Sequence, residues 1–186
     1  MKTALILVDI QNDYFPGGSG ENEGALAATA NARIILDAFR AKGLPVFHVW
    51  HENVRESANG SAPFFKKGTR GIEIHEMVAP TAGEPAIRKL TPNSFVGTDL
   101  GKRLEAAGIE KVVIAGMMSY MCVNSTTRAA KELGYDCSVA SDACATIALE
   151  FGGVKVPAAM VHAASMAGLN GLFAKVAPTA EILRDL

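Results

Sequence analysis

Little in this chain points to a disulfide scaffold, a polyanion partner or a membrane. It holds three cysteines, Cys122, Cys137 and Cys144, an odd number with no Cys-x-x-Cys pair. That pattern argues against a secreted disulfide framework. An excess of charge of one sign is also missing. Lys and Arg number 18 against 19 Asp and Glu, for a formal net charge of -1. No basic stripe suits nucleic acid, and no polybasic tail suits a membrane surface. Long apolar runs are absent as well. The five residues Ala4 to Val8 are too few for a signal-peptide core, and no segment approaches a membrane span in length. What is present is ordinary for a protein with a core: 49% apolar and 20% charged residues. A length of 186 residues fits a single domain, 1–186. The expectation is a reduced, soluble, cytoplasmic protein whose partner is a small molecule rather than nucleic acid or a membrane.

Strand-like and helix-like patterns alternate along the chain. Thr3 to Val8, Pro45 to Trp50, Ala86 to Lys89, Val112 to Ala115, Tyr135 to Ala140 and Leu172 to Val176 read as six strands. Leu26 to Lys42 carries Ile34, Ile35, Ala38 and Phe39 at helical spacing and stops at Gly43. Further helices are expected at Asp99 to Ala107, Val123 to Leu133, Val156 to Leu169 and Thr179 to Leu183. Residues 51 to 83 read as irregular, and so long a connection usually serves a function. A lid or an oligomer contact is expected over 51–75, with Lys66, Lys67 and Arg70 read as solvated charge. The alternation predicts an α/β fold, Rossmann-like, with three α/β/α layers around a six-stranded, mainly parallel sheet.

Ligands of such sheets sit beyond the carboxyl ends of the strands. Asp9 ends the first strand, Lys89 ends the third and Cys122 follows the fourth, so all three fall on one rim. Each has a plainer reading: a strand-ending polar residue, a surface lysine, a small buried hydrophobe. Together they make a chemical set. A cysteine in the first turn of a helix meets unpaired N–H groups and the positive end of the dipole. A lysine charge beside it would lower its pKa further. A carboxylate can take the thiol proton, and helix amides can receive an oxyanion.

Four segments carry a likeness to a known family. They are Leu7 to Phe15 (Leu-Val-Asp-Ile-Gln-Asn-Asp-Tyr-Phe), Lys89 with Asn93-Ser94-Phe95, Gly116 through Cys122-Val123 to Thr126 with Ala129-Ala130 and Gly134-Tyr135, and Ser141-Asp142-Ala143. In this order and at these separations they resemble the isochorismatase-like cysteine hydrolase superfamily, which includes nicotinamidases and N-carbamoylsarcosine amidohydrolase. The resemblance implies that Asp9 is the general base, Lys89 the positioning and charge-stabilising partner, and Cys122 the nucleophile. It implies a cis peptide at Met117–Met118, turning the Met118 N–H toward the Cys122 N–H as an oxyanion hole. It implies a cysteine hydrolase that cleaves a C–N bond of a small amide through a thioester, without a cofactor, and as a homo-oligomer. The alternatives are a vinyl ether hydrolase of the isochorismatase type, a thiol redox protein pairing Cys122 with Cys144, and a non-catalytic module that kept the fold.

The nicotinamidases of this family usually bind a metal through an Asp-x-His-x-x-x-x-His-like pattern near the end of the second strand. This chain has His48-Val49-Trp50-His51-Glu52-Asn53, without that Asp, and its next histidine is His75. His48 and His51, three apart on a strand, point to opposite faces. No metal is expected. Phe15, Trp50 and Phe95 near the rim, with Met117, Met118, Tyr120 and Met121 around the cysteine, are expected to wall an apolar substrate pocket. Asp142 is expected to end the fifth strand on local backbone amides and His162 to be a core histidine. Cys137 and Cys144 receive no role.

Overall fold

The computed structural model describes residues 1–54 and 64–186. Eight strands and five α-helices occur among them: β1 (Thr3–Val8), α1 (Ala25–Ala41), β2 (Val46–His51), β3 (Ala86–Lys89), α2 (Leu100–Ala106), β4 (Lys111–Met117), α3 (Asn124–Glu132), β5 (Asp136–Ala145), β6 (Leu149–Phe151), β7 (Val154–Val156), α4 (Ala158–Leu169), β8 (Lys175–Ala177) and α5 (Thr179–Arg184). None of the helices is long and apolar enough to cross a membrane.

Six strands form one sheet in the order β3-β2-β1-β4-β5-β8, and every pair in it is parallel. A parallel strand buried on both faces needs a continuous apolar run, and Ala4 to Val8 supplies it with every residue buried. Alternate residues then serve opposite layers. Leu5 and Leu7 pack with Ala32, Ile35 and Phe39 of α1 and Ile182 of α5. Ala4, Ile6 and Val8 pack with Leu100 and Leu104 of α2, Ala130 of α3 and Met166 and Leu169 of α4. The result is three layers.

The chain steps outward from β1 to β2 and β3, then returns to the other side of β1 with β4. The strand order therefore reverses between β1 and β4, the place where open α/β sheets open a crevice for ligands. Asp9 leaves β1 there, and Cys122 comes after β4 there.

Two features of β4 shape that crevice. Its register with β5 shifts between Ile114 and Gly116, so that Gly116 pairs with Cys144; bulges of this kind bend a strand and re-aim the residues beyond it. Gly116 also has a φ of 132°, and a Cβ there would lie 2.0 Å from the Val8 carbonyl oxygen. Both constraints require glycine. Gly116→Ala is expected to cost about 3 kcal/mol or more, visible as a lower midpoint in urea unfolding. An unchanged midpoint would show that β1 can move away.

Some elements differ from the sequence expectation. β5 continues to Ala145 instead of stopping at Ala140, because the shifted register lets it run alongside the lengthened β4. The last sheet strand starts at Lys175 rather than Leu172, because Gly171 (φ 87°) turns the chain after α4 and leaves Leu172 exposed. The antiparallel hairpin β6–β7 was not anticipated. Its signal was Gly152-Gly153 between alternating apolar residues, and both glycines take the positive φ that a two-residue hairpin turn demands.

Candidate active site

Two strand ends deliver the charged groups. Asp9 leaves β1 with a φ of 51°, rare for a non-glycine residue, and its N–H donates to the Val49 carbonyl at 2.9 Å. That turn sends its side chain into the protein, where it is fully buried. Lys89 closes β3. Strand alternation puts Ile87 and Lys89 inside and Arg88 outside, where Arg88 pairs with Glu52. Arg88, not Lys89, is thus the surface cation of this segment. The Lys89 Nζ lies 2.7 Å from Asp9 Oδ2, with both side chains at 0% exposure. It also lies 3.3 Å from Cys122 Sγ, 3.1 Å from the Thr91 carbonyl oxygen and 3.0 Å from His51 Nδ1.

Cys122 sits in a π-helical turn, Ser119–Val123, that leads into α3. Such turns inside helices are frequent at functional sites. The Met117–Met118 peptide before it is cis. The Met118 carbonyl accepts the N–H groups of Met121 at 3.1 Å and Val123 at 3.2 Å, and not that of Cys122 between them. Ser94 accounts for part of the second sequence motif. Its N–H and hydroxyl both meet Thr126 Oγ1, at 3.2 and 2.8 Å, which ties the segment after Lys89 to the helix after Cys122.

Burial governs the electrostatics. It raises the Asp9 carboxyl, with the Lys89 ammonium pulling the other way. It also pushes the Cys122 thiol up, reinforced by the Asp9 carboxylate and opposed by Lys89. The expected depression of the thiol pKa is therefore reversed, because desolvation of a nearly fully buried sulfur outweighs one adjacent cation. Burial thus favours the protonated thiol, held beside the Asp9–Lys89 pair.

Three neighbours complete the surroundings of the pair, none of which the sequence assigns to the site. His51 accepts from Lys89, and burial together with the Lys89 charge lowers its pKa to about 4, so it is neutral at pH 7. Gln11, fully buried, receives the His51 N–H on Oε1 at 2.7 Å and donates from Nε2 to the His51 and Ile72 carbonyls at 2.9 and 2.7 Å. Tyr14 is buried against Phe65 with ring centroids 4.5 Å apart, and its hydroxyl is raised by burial and then by Cys122 and Asp9. Gln11 and Tyr14 both lie in the first motif, where their side chains were read only as part of the pattern. Asp9, His51 and Cys122 could offer a metal three donor atoms within 4.8 Å of one another. The Lys89 Nζ already stands among those atoms, so the cation they would hold is an ammonium.

The expected pocket wall is only partly assembled. Tyr120 and Met121 flank Cys122 in its turn, half-buried, and Met117 and Met118 are buried in the core beside it. Phe15 instead stacks on His75 at 3.7 Å and lines a separate cavity of about 310 Å³ with Asn12, Asp13 and Arg70. Trp50 lies one residue from His51 and so faces the other side of β2, lining a cavity with Ile72, Ile74 and Pro80. Phe95 stacks on Tyr135, the residue before β5, with ring centroids 6.3 Å apart. Asp142 does not end β5 on local amides; it accepts the Thr179 N–H at 2.7 Å and hydroxyl at 2.6 Å, anchoring α5. His162 is half-buried and meets Ser119 Oγ at 3.2 Å. Of the expected lid over 51–75, residues 55–63 lie outside the described ones; Phe64 and Phe65 pack on Tyr14.

The sequence profile described as the Isochorismatase domain matches residues 3–181. The uncharacterized isochorismatase family protein YddQ of Bacillus subtilis is 46% identical over 184 residues, covering 99% of this chain and 100% of that protein. The crystal structure of an isochorismatase hydrolase from Oleispira antarctica is 48% identical and superposes with a TM-score of 0.93, covering 98% of this chain and 96% of that one. Among relatives with a stated activity, the ureidoacrylate amidohydrolase RutB of Agrobacterium fabrum is 27% identical over 163 residues, 72% of each chain.

Proposed function

We propose a reaction for this chain from the premise that it belongs to the isochorismatase family of hydrolases. The reaction is cleavage of a C–N bond in a small amide through a thioester on Cys122. The observation that carries this reading is the Lys89 ammonium, 2.7 Å from a buried carboxylate and 3.3 Å from a buried thiol. An Asp–Lys pair next to a sulfur has little use in packing, since burying it costs more than an apolar trio of the same volume.

In this reading substrate enters a site whose thiol is still protonated. Asp9 takes the Cys122 proton as sulfur attacks the amide carbon, and Lys89 then faces a thiolate instead of a carboxylate. The Met118 and Cys122 N–H groups receive the carbonyl oxygen as it becomes an oxyanion. Removing one donor of this type typically costs about 100-fold or more in rate. Asp9 hands its proton to the departing nitrogen, the C–N bond breaks, and ammonia or an amine leaves. Water, deprotonated by Asp9, opens the thioester, releasing a carboxylic acid and restoring the thiol. Each step moves one proton between sulfur, Asp9, nitrogen and water. No cofactor takes part.

The deciding experiment is a panel of small amides read by intact mass. An acyl adduct on Cys122, with ammonia or amine released, is expected. Pyruvate release from an enol ether without an adduct would replace this reading with the ether hydrolase.

The proposal includes one domain over 1–186, a reducing cytoplasmic compartment that suits three free cysteines, and a homo-oligomer. The oligomer is supported by the β6–β7 ribbon, which among the described residues pairs only with itself and leaves Phe151 90% and Val154 64% exposed. Mass photometry should find a particle larger than one 19.5 kDa chain; a single-chain mass would end that part of the proposal.

A further inference from the structure

We propose that His51 is a fourth member of this site, a positioning residue that pins the Lys89 ammonium in place while its charge partner changes. The inference rests on the thioester reading above, and extends it to a residue outside the Asp9–Lys89–Cys122 set.

An ammonium has three hydrogens. Four acceptors surround the Lys89 Nζ: Asp9 Oδ2 at 2.7 Å, His51 Nδ1 at 3.0 Å, the Thr91 carbonyl at 3.1 Å and Cys122 Sγ at 3.3 Å. During attack the two charged partners exchange roles. Asp9 becomes neutral as it takes the thiol proton, and sulfur becomes the anion. Nothing in that exchange alters His51 or the Thr91 carbonyl. These two neutral acceptors keep Nζ at one position while its attraction shifts from oxygen to sulfur. Without them the ammonium would stay with Asp9 and leave the sulfur unsupported as it becomes a thiolate.

His51 is itself firmly held. Its N–H and its carbonyl both bond the side chain of Gln11, a fully buried amide that also grips the Ile72 carbonyl. With Nδ1 accepting from Lys89, the imidazole proton belongs on Nε2. The ring must stay neutral, because an imidazolium would repel the ammonium it holds, and the burial that lowers its pKa keeps it so.

The test uses His51→Leu, which keeps bulk but has no acceptor, and His51→Asn, whose amide oxygen can replace Nδ1. Kinetics are measured on an amide that acylates the wild type. His51→Leu is expected to lose about 10- to 100-fold in kcat, the range for a lost hydrogen bond to a charged group, with KM little changed. His51→Asn should recover most of that loss. The second readout is the pH profile of Cys122 alkylation by iodoacetamide. Besides His51, the titratable groups facing the thiol among the described residues are Asp9 from the end of β1, Lys89 from β3, Tyr14 from the loop after β1 and Tyr120 from the π turn; neither variant alters them. The midpoint should move to higher pH in His51→Leu and return in His51→Asn. Equal losses in both variants, or a wild-type alkylation profile in His51→Leu, would overturn the proposal. If no amide acylates the wild type, the thioester reading fails, yet the alkylation profiles still decide whether His51 positions Lys89.

Discussion

Cys122→Ala is expected to abolish acyl-enzyme formation and to lower amide turnover by about 10⁴-fold or more, the scale seen when a catalytic nucleophile is removed. The fold should survive. Cys122 is a small side chain in an apolar cluster with Val123, Ala130 and Cys144, and its loss leaves a space no larger than one sulfur, worth about 1 kcal/mol. Cys122→Ser is the sharper variant. It keeps an attacking atom, but a hydroxyl is a weaker nucleophile whose proton is harder to remove than that of a thiol. Asp9, although raised by burial, then faces a larger gap to the group it must deprotonate. Intact mass after mixing with substrate should show an adduct on the wild type and none on Cys122→Ala. Turnover by Cys122→Ala near the wild-type rate would end the thioester proposal, because no other described thiol lies in the charged cluster.

Much of this architecture was legible in the sequence because parallel sheets leave a strong local mark. β1 has the bounds its apolar run suggests, since a strand covered on both faces cannot tolerate polar interruptions; β3, at the sheet edge, also keeps its expected bounds but alternates exposed and buried residues. Asp9, Lys89 and Cys122 could be placed on one rim because topology, not side-chain detail, puts strand ends there. Side-chain direction beyond that was not legible. Trp50 and Phe95 lie at strand ends or loops near the rim and so read as pocket wall, yet Trp50 lines a cavity with Ile72, Ile74 and Pro80 and Phe95 stacks on Tyr135. His51 reads from sequence as a packing or hydrogen-bonding residue rather than a metal ligand, but its partner is not legible, because Lys89 is 38 residues away. The sign of the Cys122 shift was missed for a different reason. Helix and lysine contributions can be read from sequence, but the desolvation that outweighs them depends on burial contributed by the whole fold.

The ion pair offers the second large effect. Lys89→Met is expected to stop the reaction and to destabilise the protein by about 3–5 kcal/mol, the cost of leaving a buried charge without its partner. Asp9 would bear that cost, being fully buried, with an Oδ1 that finds no hydrogen bond among the described residues. The variant's instability should depend on pH in a defined direction. Burial already raises the Asp9 carboxyl, and removing the cation raises it further. A carboxyl whose folded pKa exceeds its unfolded value holds more protons when folded. The stability this contributes is complete below the ordinary carboxylate range and is lost as pH rises through the raised value. Lys89→Met should therefore unfold at lower urea at pH 8 than at pH 5, more so than the wild type, whose ammonium still offsets the burial. Asp9→Asn/Lys89→Met removes both charges, and should regain most of the lost stability and lose the pH dependence while remaining inactive. Neutralised buried pairs are often as stable as the originals or more so. Equal instability of single and double variants, with no trend in pH, would mean that these residues matter through shape. Recovery of stability without activity would mean that the pair is kept for chemistry, at a cost to the fold.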